Sequence, residues 1–363
     1  MDKFATTDLL NWYDRNKRDL PWRRSENPYH IWISEVMCQQ TRVDTAIPYY
    51  HRFTTAFPTV QDLAEASRQD VLKVWEGLGY YSRARNLQDA AKHIVKFRNG
   101  VLPDTYKEIC SLSGIGPYTA SAILSIAYNQ PYSVVDGNVI RVITRFNGIE
   151  EDIRSQGTKN QVREQADLYL DKNRPGDFNQ ALMELGATVC KPVRPVCGSC
   201  PLSTDCIANR TAATGRIPYK SPVKSIPHHD IGAGLIVDSQ KRLLIALRPE
   251  HAMLGGLWEF PGGKRKTGEK LRTTVRRELK EELNLDVRVL GKFMELKHAY
   301  SHFRITLHAY WCLPEPSDQQ PAARQSQEIR RVSVPELAQY PFPKANKILT
   351  EKLIREGLPD SKT

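Results

Sequence analysis

The chain has 363 residues, 40% hydrophobic and 26% charged, with 52 Lys/Arg against 41 Asp/Glu and a formal net charge of +11. That length exceeds one ordinary core, so two or three domains are expected, and no apolar run is long enough to cross a bilayer as a helix. The basic excess favours a polyanionic partner and is shared along the chain: residues 1–220 hold 28 Lys/Arg against 24 Asp/Glu, and residues 221–363 hold 24 against 17.

The opening MDKFATTDLLNWYDRNKRDL lacks the charged-then-apolar layout of a secretory signal, so a cytoplasmic protein with no membrane partner is expected. From residue 6 to about 190 apolar residues recur at helical spacing, as in VLKVWEGLGYYSRARNLQDAAKHIVKF and TASAILSIAY, and turn signals such as ENPYH, NGVLPD and NRPGD separate the segments. In WISEVMCQQT, Glu35 sits among Ile31, Trp32, Val36 and Met37. Desolvation in that setting is expected to raise its pKa and keep it protonated. The stretch LSGIGPYTASAIL reads helix, tight turn at Gly114 and Gly116, helix. Such a turn either offers backbone N–H groups and a helix N-terminus to a phosphate or simply closes a corner. In SVVDGNVIRV, Asp136 precedes Gly137-Asn138 at a helix start, an N-cap position that favours an ionised carboxylate.

Four of the seven cysteines are packed as Cys190-x6-Cys197-x2-Cys200-x5-Cys206, while Cys38, Cys110 and Cys312 are scattered. In a cytosolic chain such a cluster reads as a metal site, zinc or iron–sulfur, rather than a disulfide framework. Residues 211–229, TAATGRIPYKSPVKSIPHH, carry three prolines, and no acid stands between Asp205 and Asp230, so this stretch reads as a basic linker. Beyond it IGAGLIVD, KRLLIALR, VRVLGKFME and FRITLHAYWCL read as strands and TTVRRELKEELN as a helix, a separate α+β domain over 230–363. No internal repeat is found.

The helix-hairpin-helix, the acid in VDGNV and the four-cysteine spacing together resemble the endonuclease III superfamily of DNA glycosylases. SEVMCQQTRV, GLGYYSRARN, GPYT and the second domain narrow the resemblance to the adenine DNA glycosylase family, over essentially the whole chain. The fold class this implies is multidomain. An all-α helix-hairpin-helix glycosylase domain spans 1–210, with a six-helix module at about 22–127. The N-terminus and about 128–206 form an iron–sulfur module in which Cys190, Cys197, Cys200 and Cys206 hold a [4Fe–4S] cluster. The linker 211–229 then leads to a Nudix-like domain that recognises 8-oxoguanine. The implied partner is duplex DNA containing an 8-oxoguanine:adenine pair, bound by a monomer.

The resemblance also assigns roles. Bifunctional relatives carry at position 118 a lysine that forms an imine with the sugar and then cuts the strand. Here it is Tyr118, and a phenol forms no imine, so base removal without strand cleavage is expected. Glu35 is implied as the general acid toward adenine N7, Asp136 as the group that stabilises the sugar cation, and Tyr118 and Asn138 as positioning groups. The base must first leave the stack. Gln40 and Tyr80 would fill or wedge the gap, Thr41 would contact the DNA, and the turn at Gly114 and Gly116 would hold a phosphate. The adenine pocket would draw on Arg18, Trp22, Arg23, Cys38, Val43, Gln180 and Met183, with the Gln180 amide suited to an adenine edge. Cys38 stands where the family has a larger apolar residue.

GGKRKTGEKLRTTVRRELKEELNL matches a Nudix box at Gly263, Glu269, Arg277, Glu278, Leu279, Glu281, Glu282 and Leu285, and Asn284 replaces its last glycine. Asn is the residue that best tolerates the left-handed conformation a terminal Gly supplies. Glu278, Glu281 and Glu282 fall on one helix face, a platform for Mg²⁺. Two readings stay open: a scaffold that no longer hydrolyses anything, or an Mg²⁺-dependent nucleotide hydrolase. In LKHAYSH, Tyr300, Ser301 and His302 match the family's lesion-reading loop.

Overall fold

Helices fill the first 210 residues because their apolar positions recur on one face and Pro, Gly and Asn punctuate the ends. The computed structural model describes residues 4–222, 226–300 and 302–359, so Ser301 lies outside the described residues. In chain order the helices are α1 Thr6–Asn16, α2 Pro28–Cys38, α3 Val43–Ala56, α4 Val60–Glu65, α5 Arg68–Trp75, α6 Ser82–Arg98, α7 Tyr106–Cys110, α8 Pro117–Tyr128, α9 Gly137–Asn147, α10 Gln156–Tyr169, α11 Pro175–Thr188 and α12 Ile207–Arg210. A short 3₁₀ turn at Pro21–Arg24 precedes α2. By contacts the chain divides into two units, 1–64 with 89–223, and 65–88 with 224–363.

In the helical unit α1, α9 and α11 share one core, built from Leu9, Leu10 and Tyr13 against Val142, Ile143 and Phe146 and against Phe178, Ala181 and Leu182. Helices α2 and α8 pack together through fully buried Trp32, Ile33, Ile123 and Leu124. Two glycines let α11 approach its neighbours. A Cβ on Gly176 would lie 2.7 Å from the Ser125 carbonyl of α8, and one on Gly186 2.5 Å from Asn138 Cβ of α9. Asn179 locks the same contact: buried, it donates to Ser125 Oγ (2.9 Å) and Tyr132 O (2.8 Å) and accepts from Val134 N (3.0 Å). One face of α11 therefore meets the start of α9, where Asp136 stands.

The second unit holds two sheets. β1 His228–Ile236, β2 Leu243–Leu247, β3 Trp258–Glu259, β4 Gly262–Lys264, β5 Val287–Ala299, β6 Arg304–Pro314 and β7 Glu328–Val332 pair in the orders β4-β1-β6-β5 and β3-β2-β7. The β1–β6 pair is parallel, with Ile231 opposite Leu307. α13 Leu271–Leu283 covers one core with Val275, Leu279 and Leu283, and α14 Lys344–Glu356 closes the other with Leu349 and Leu353. The four strands and the helix read from the sequence are present; β3, β4, β7 and α14 were not anticipated.

Residues 65–88, grouped by sequence with the helical half, are assigned by contacts to the second unit. Trp258 Nε1 donates to Gln69 Oε1 (2.9 Å), and the buried Glu76 carboxylate accepts from Phe342 N (2.9 Å) and Lys347 Nζ (2.7 Å).

Candidate active site in the helical unit

The hairpin forms as the sequence suggests. α7 ends at Cys110, Gly114 adopts φ +74°, and Gly116 caps α8, whose first residue is Pro117. Pro at that position loses no hydrogen bond, because the first helical N–H groups have no intrahelical partner. One residue later, Tyr118 points its hydroxyl at α2 and donates to Glu35 Oε2 at 2.9 Å.

Glu35 is 9% exposed, in a helix whose residues Tyr29 to Met37 are mostly buried. Burial pushes its carboxyl up to about 7, against the opposing Tyr118 hydrogen bond and the charge of Arg23. Tyr118 is held neutral by burial and by the neighbouring Glu35. Across the cleft Asp136 caps α9: Oδ1 accepts from Val139 N at 2.7 Å and Oδ2 from Asn138 Nδ2 at 2.9 Å. The cap is the expected one, but burial outweighs it and the Asp136 carboxyl also rises above its ordinary value. Three hydrogen bonds, from Val139 N and from both Asn138 nitrogens, oppose that rise, against a single one at Glu35. Asp136 is therefore the more readily ionised of the two.

These groups open on one cavity of about 560 Å³. Glu35, Tyr118, Asp136 and Asn138 line it together with every residue expected of the base pocket: Arg18, Trp22, Arg23, Cys38, Val43, Gln180 and Met183. Thr41 lines it as well; Gln40, exposed at φ +55°, does not. The 3₁₀ turn at Pro21–Arg24 brings Trp22 and Arg23 to the rim, and α11 brings Gln180 and Met183 three residues apart on its inner face. Sequence reading missed Glu184, the next residue on that face, which is buried in the same cavity. Its signal was the one that singled out Glu35, an acid inside an apolar helix, here ALMELGA.

The other expected residues lie elsewhere. In the second unit Tyr80, Tyr300 and His302 line a cavity of about 490 Å³, with Met253, His298 and Phe303. Tyr300 stacks on Phe303 at 4.7 Å and accepts His298 edge-on at 4.6 Å. Cys190, Cys197, Cys200 and Cys206, all free thiols, surround one small cavity of about 20 Å³ beside Arg145. Buried Arg145 donates to Cys190 Sγ (3.4 Å) and to the carbonyls of Lys191 (2.7 Å), Thr214 (2.7 Å) and Ile217 (2.8 Å), so it orders the loop that carries the thiols. Among the described residues no three His, Cys, Asp or Glu side chains are placed to hold a single metal ion. On α13 Arg277 ties up the acids of the Nudix box: it donates to Glu269 (2.9 Å), Glu278 (2.7 Å) and Glu281 (3.1 Å), while Glu282 accepts from Gly262 N at 3.1 Å. Asn284 ends α13 at φ +55°, ψ +28°, the left-handed cap expected of it.

A helical unit with a helix-hairpin-helix beside a buried and a half-buried carboxylate on one cavity fits a base-excision DNA glycosylase, and the comparisons agree. Residues 33–167 match the HhH-GPD superfamily of base excision DNA repair proteins, and residues 232–352 match the NUDIX domain. A solved thermostable thymine-DNA glycosylase covers 57% of the chain, and the chain covers 95% of it, at 26% identity and a TM-score of 0.51. A trapped endonuclease III–DNA intermediate, 21% identical with a TM-score of 0.50, shares the fold. The adenine DNA glycosylase of Rattus norvegicus is 37% identical over 84% of this chain, which spans 69% of the rat protein. That of Buchnera aphidicola from Acyrthosiphon pisum is 34% identical, covering 84% of this chain and 85% of its own length. The chain belongs to the adenine DNA glycosylase family, enzymes of base excision repair.

Proposed function

We propose that the enzyme removes adenine mispaired with 8-oxoguanine or guanine from duplex DNA and leaves the strand intact. The observation that carries this reading is the convergence of Glu35, Tyr118, Asp136 and Asn138 on one cavity large enough for a purine. Adenine is a poor leaving group until protonated. Glu35, neutral up to about pH 7, gives its proton to N7 of the extruded base. The glycosidic electron pair leaves with the adenine, and the sugar becomes oxocarbenium-like. Asp136, the more readily ionised of the two acids, stabilises that cation until water adds to C1′ and passes its proton to solvent. Tyr118 holds the Glu35 carboxyl and Asn138 holds Asp136. No lysine lines the cavity among the described residues, which supports hydrolysis over imine formation.

The lesion side is read by the second unit, where Tyr80, Tyr300 and His302 share an aromatic-rich cavity. The four thiols line one small cavity and Arg145 bonds one of them and orders their loop, a donor set that suits a [4Fe–4S] cluster. Such a cluster would fix the basic loop Lys191–Arg194 for phosphate. The Nudix helix serves as scaffold, its acids engaged by Arg277 and Gly262.

The test is a single-turnover assay on duplexes with A opposite 8-oxoguanine, G or T, and with T opposite G, read with and without alkali. Alkali-dependent cleavage of the A strand, fastest opposite 8-oxoguanine, is expected. Cleavage without alkali would overturn the monofunctional reading, and equal rates opposite 8-oxoguanine and T would overturn the specificity.

A further inference from the structure

The base pocket contains a buried anion with no part in bond breaking. Glu184 lies on the inner face of α11 with its side chain 1% exposed. An isolated carboxylate there would be prohibitively costly, and two guanidinium groups offset the cost. Oε1 accepts from Arg18 Nε at 2.6 Å and from Arg18 N at 3.2 Å; Oε2 accepts from Arg18 Nη2 at 3.0 Å and from Arg23 Nη2 at 2.9 Å. Burial alone would raise its pKa, but the hydrogen bonds and charges of Arg18 and Arg23 win and hold it below the usual value.

Arg23 is in turn fixed at all three nitrogens. Besides Glu184, Nη1 donates to Arg18 O at 3.0 Å and Nε donates to Gln180 Oε1 at 3.1 Å. That last bond settles which way the Gln180 amide faces. A guanidinium only donates, so the oxygen of the amide must be the atom turned to Arg23. The amide nitrogen then has no protein partner among the described residues and is left to the cavity that Gln180 lines. The Watson–Crick edge of adenine sets the acceptor N1 beside the 6-amino donor and leaves N7 to Glu35. An amide with fixed orientation pairs with that edge, its N–H to the ring nitrogen and the second lone pair of its oxygen to the amino group. A freely flipping amide loses the distinction.

We infer that Glu184 is a positioning residue for base selection: through Arg23 it fixes the orientation of the Gln180 amide, and with it the preference for a 6-aminopurine. This rests on the cavity being the adenine site. Glu184 has a second consequence for the chemistry. Glu35 is faced by Tyr118 from α8, by Asp136 at the cap of α9 and by Arg23 from the 3₁₀ turn. Cys38, Glu26, Arg42, Asp44 and Asp177 complete the titratable and charged lining. Arg23 lowers the pKa of Glu35, and Glu184 neutralises Arg23. Removing the anion exposes Glu35 to the full cation.

The test compares single-turnover release of adenine and of unsubstituted purine, each opposite 8-oxoguanine, by the wild type, Glu184→Gln and Glu184→Asp across pH 5 to 9. For Glu184→Gln the preference for adenine over purine, corrected for their uncatalysed rates, should fall by about tenfold, the worth of one oriented hydrogen bond. The alkaline fall in its rate should move to lower pH. Glu184→Asp keeps the charge with a shorter reach, so its alkaline limb should stay in place while its preference falls. Equal losses for both bases with an unmoved limb in Glu184→Gln would reduce Glu184 to a structural role and overturn the inference. If Glu184→Gln does not fold, a Glu184→Asp enzyme with undiminished preference does the same. No adenine release by the wild type would defeat the proposed function as well; release by the wild type with an indifferent Glu184→Gln defeats the inference alone.

Discussion

Burial raises an acid in each half of the molecule, Glu35 in the helical unit to about 7 and Glu282 in the Nudix unit to about 8. What surrounds them differs. Glu35 faces a cavity of about 560 Å³, opposite a second carboxylate whose hydrogen bonds favour its ionised form. Glu282 is pinned to Gly262 N, burial and the nearby Glu259 raise it, and its helical neighbours Glu278 and Glu281 are occupied by Arg277. A perturbed acid becomes a proton donor only where a substrate-sized space adjoins it and a partner of opposite protonation stands across that space. The helical unit offers the space and a second carboxylate better supplied with hydrogen bonds, while on the Nudix helix the acids are engaged by Arg277 and Gly262.

The largest effect should come from Glu35. Glu35→Gln removes the proposed proton donor and should slow adenine release by about 10²- to 10⁴-fold in a single-turnover assay. A loss of only a few-fold would show that the proton comes from elsewhere. Asp136 is next: Asp136→Asn keeps a side chain that caps helices as well as Asp, but removes the anion. Its melting temperature should stay near the wild type while the rate falls by about 10²-fold. Asp136→Ala should also lose about 1 kcal/mol of stability with the cap.

An effect of comparable size appears in stability. The folded-state pKa of Glu35 lies above its ordinary 4.5, so the stability tied to its neutral form is complete below about 4.5 and is lost as pH rises through about 7. Between pH 4 and 8 the Glu35→Gln variant should therefore gain about 3 kcal/mol relative to the wild type in denaturant titrations. A constant difference would mean that Glu35 titrates normally. The smallest effect is expected on α13. Glu281 is half exposed and shares Arg277, so Glu281→Gln should change stability by no more than about 0.5 kcal/mol. It should leave adenine release unchanged. The wild type should release no pyrophosphate from 8-oxo-dGTP with Mg²⁺; release that Glu281→Gln abolishes would make the Nudix helix a second active site and erase the contrast between the two units.

Much of this was legible before the fold. The Asp136 cap follows from VDGN, the buried Glu35 from its apolar flanks, and the left-handed Asn284 from the missing glycine of the box. These are local signals, carried by neighbours in sequence. Signals that depend on distant residues were lost. Strands β3 and β4 are two and three residues long, too short for any period to register. The placement of 65–88 with the second unit rests on pairs such as Gln69 with Trp258 and Glu76 with Lys347, which no local pattern announces. Glu184 had the same local signature as Glu35, but its role depends on arginines that lie more than 150 residues upstream.

The most direct measurement is the pH dependence of adenine release from an 8-oxoguanine:adenine duplex under single-turnover conditions, for the wild type and Glu35→Gln together. A buried Glu35 that acts as its own proton store predicts a wild-type rate that is level from the pH at which Asp136 is ionised up to about 7 and falls tenfold per unit above it, with the variant slow throughout. A wild-type rate that stays level to pH 9, or a variant that keeps the wild-type profile, would contradict it.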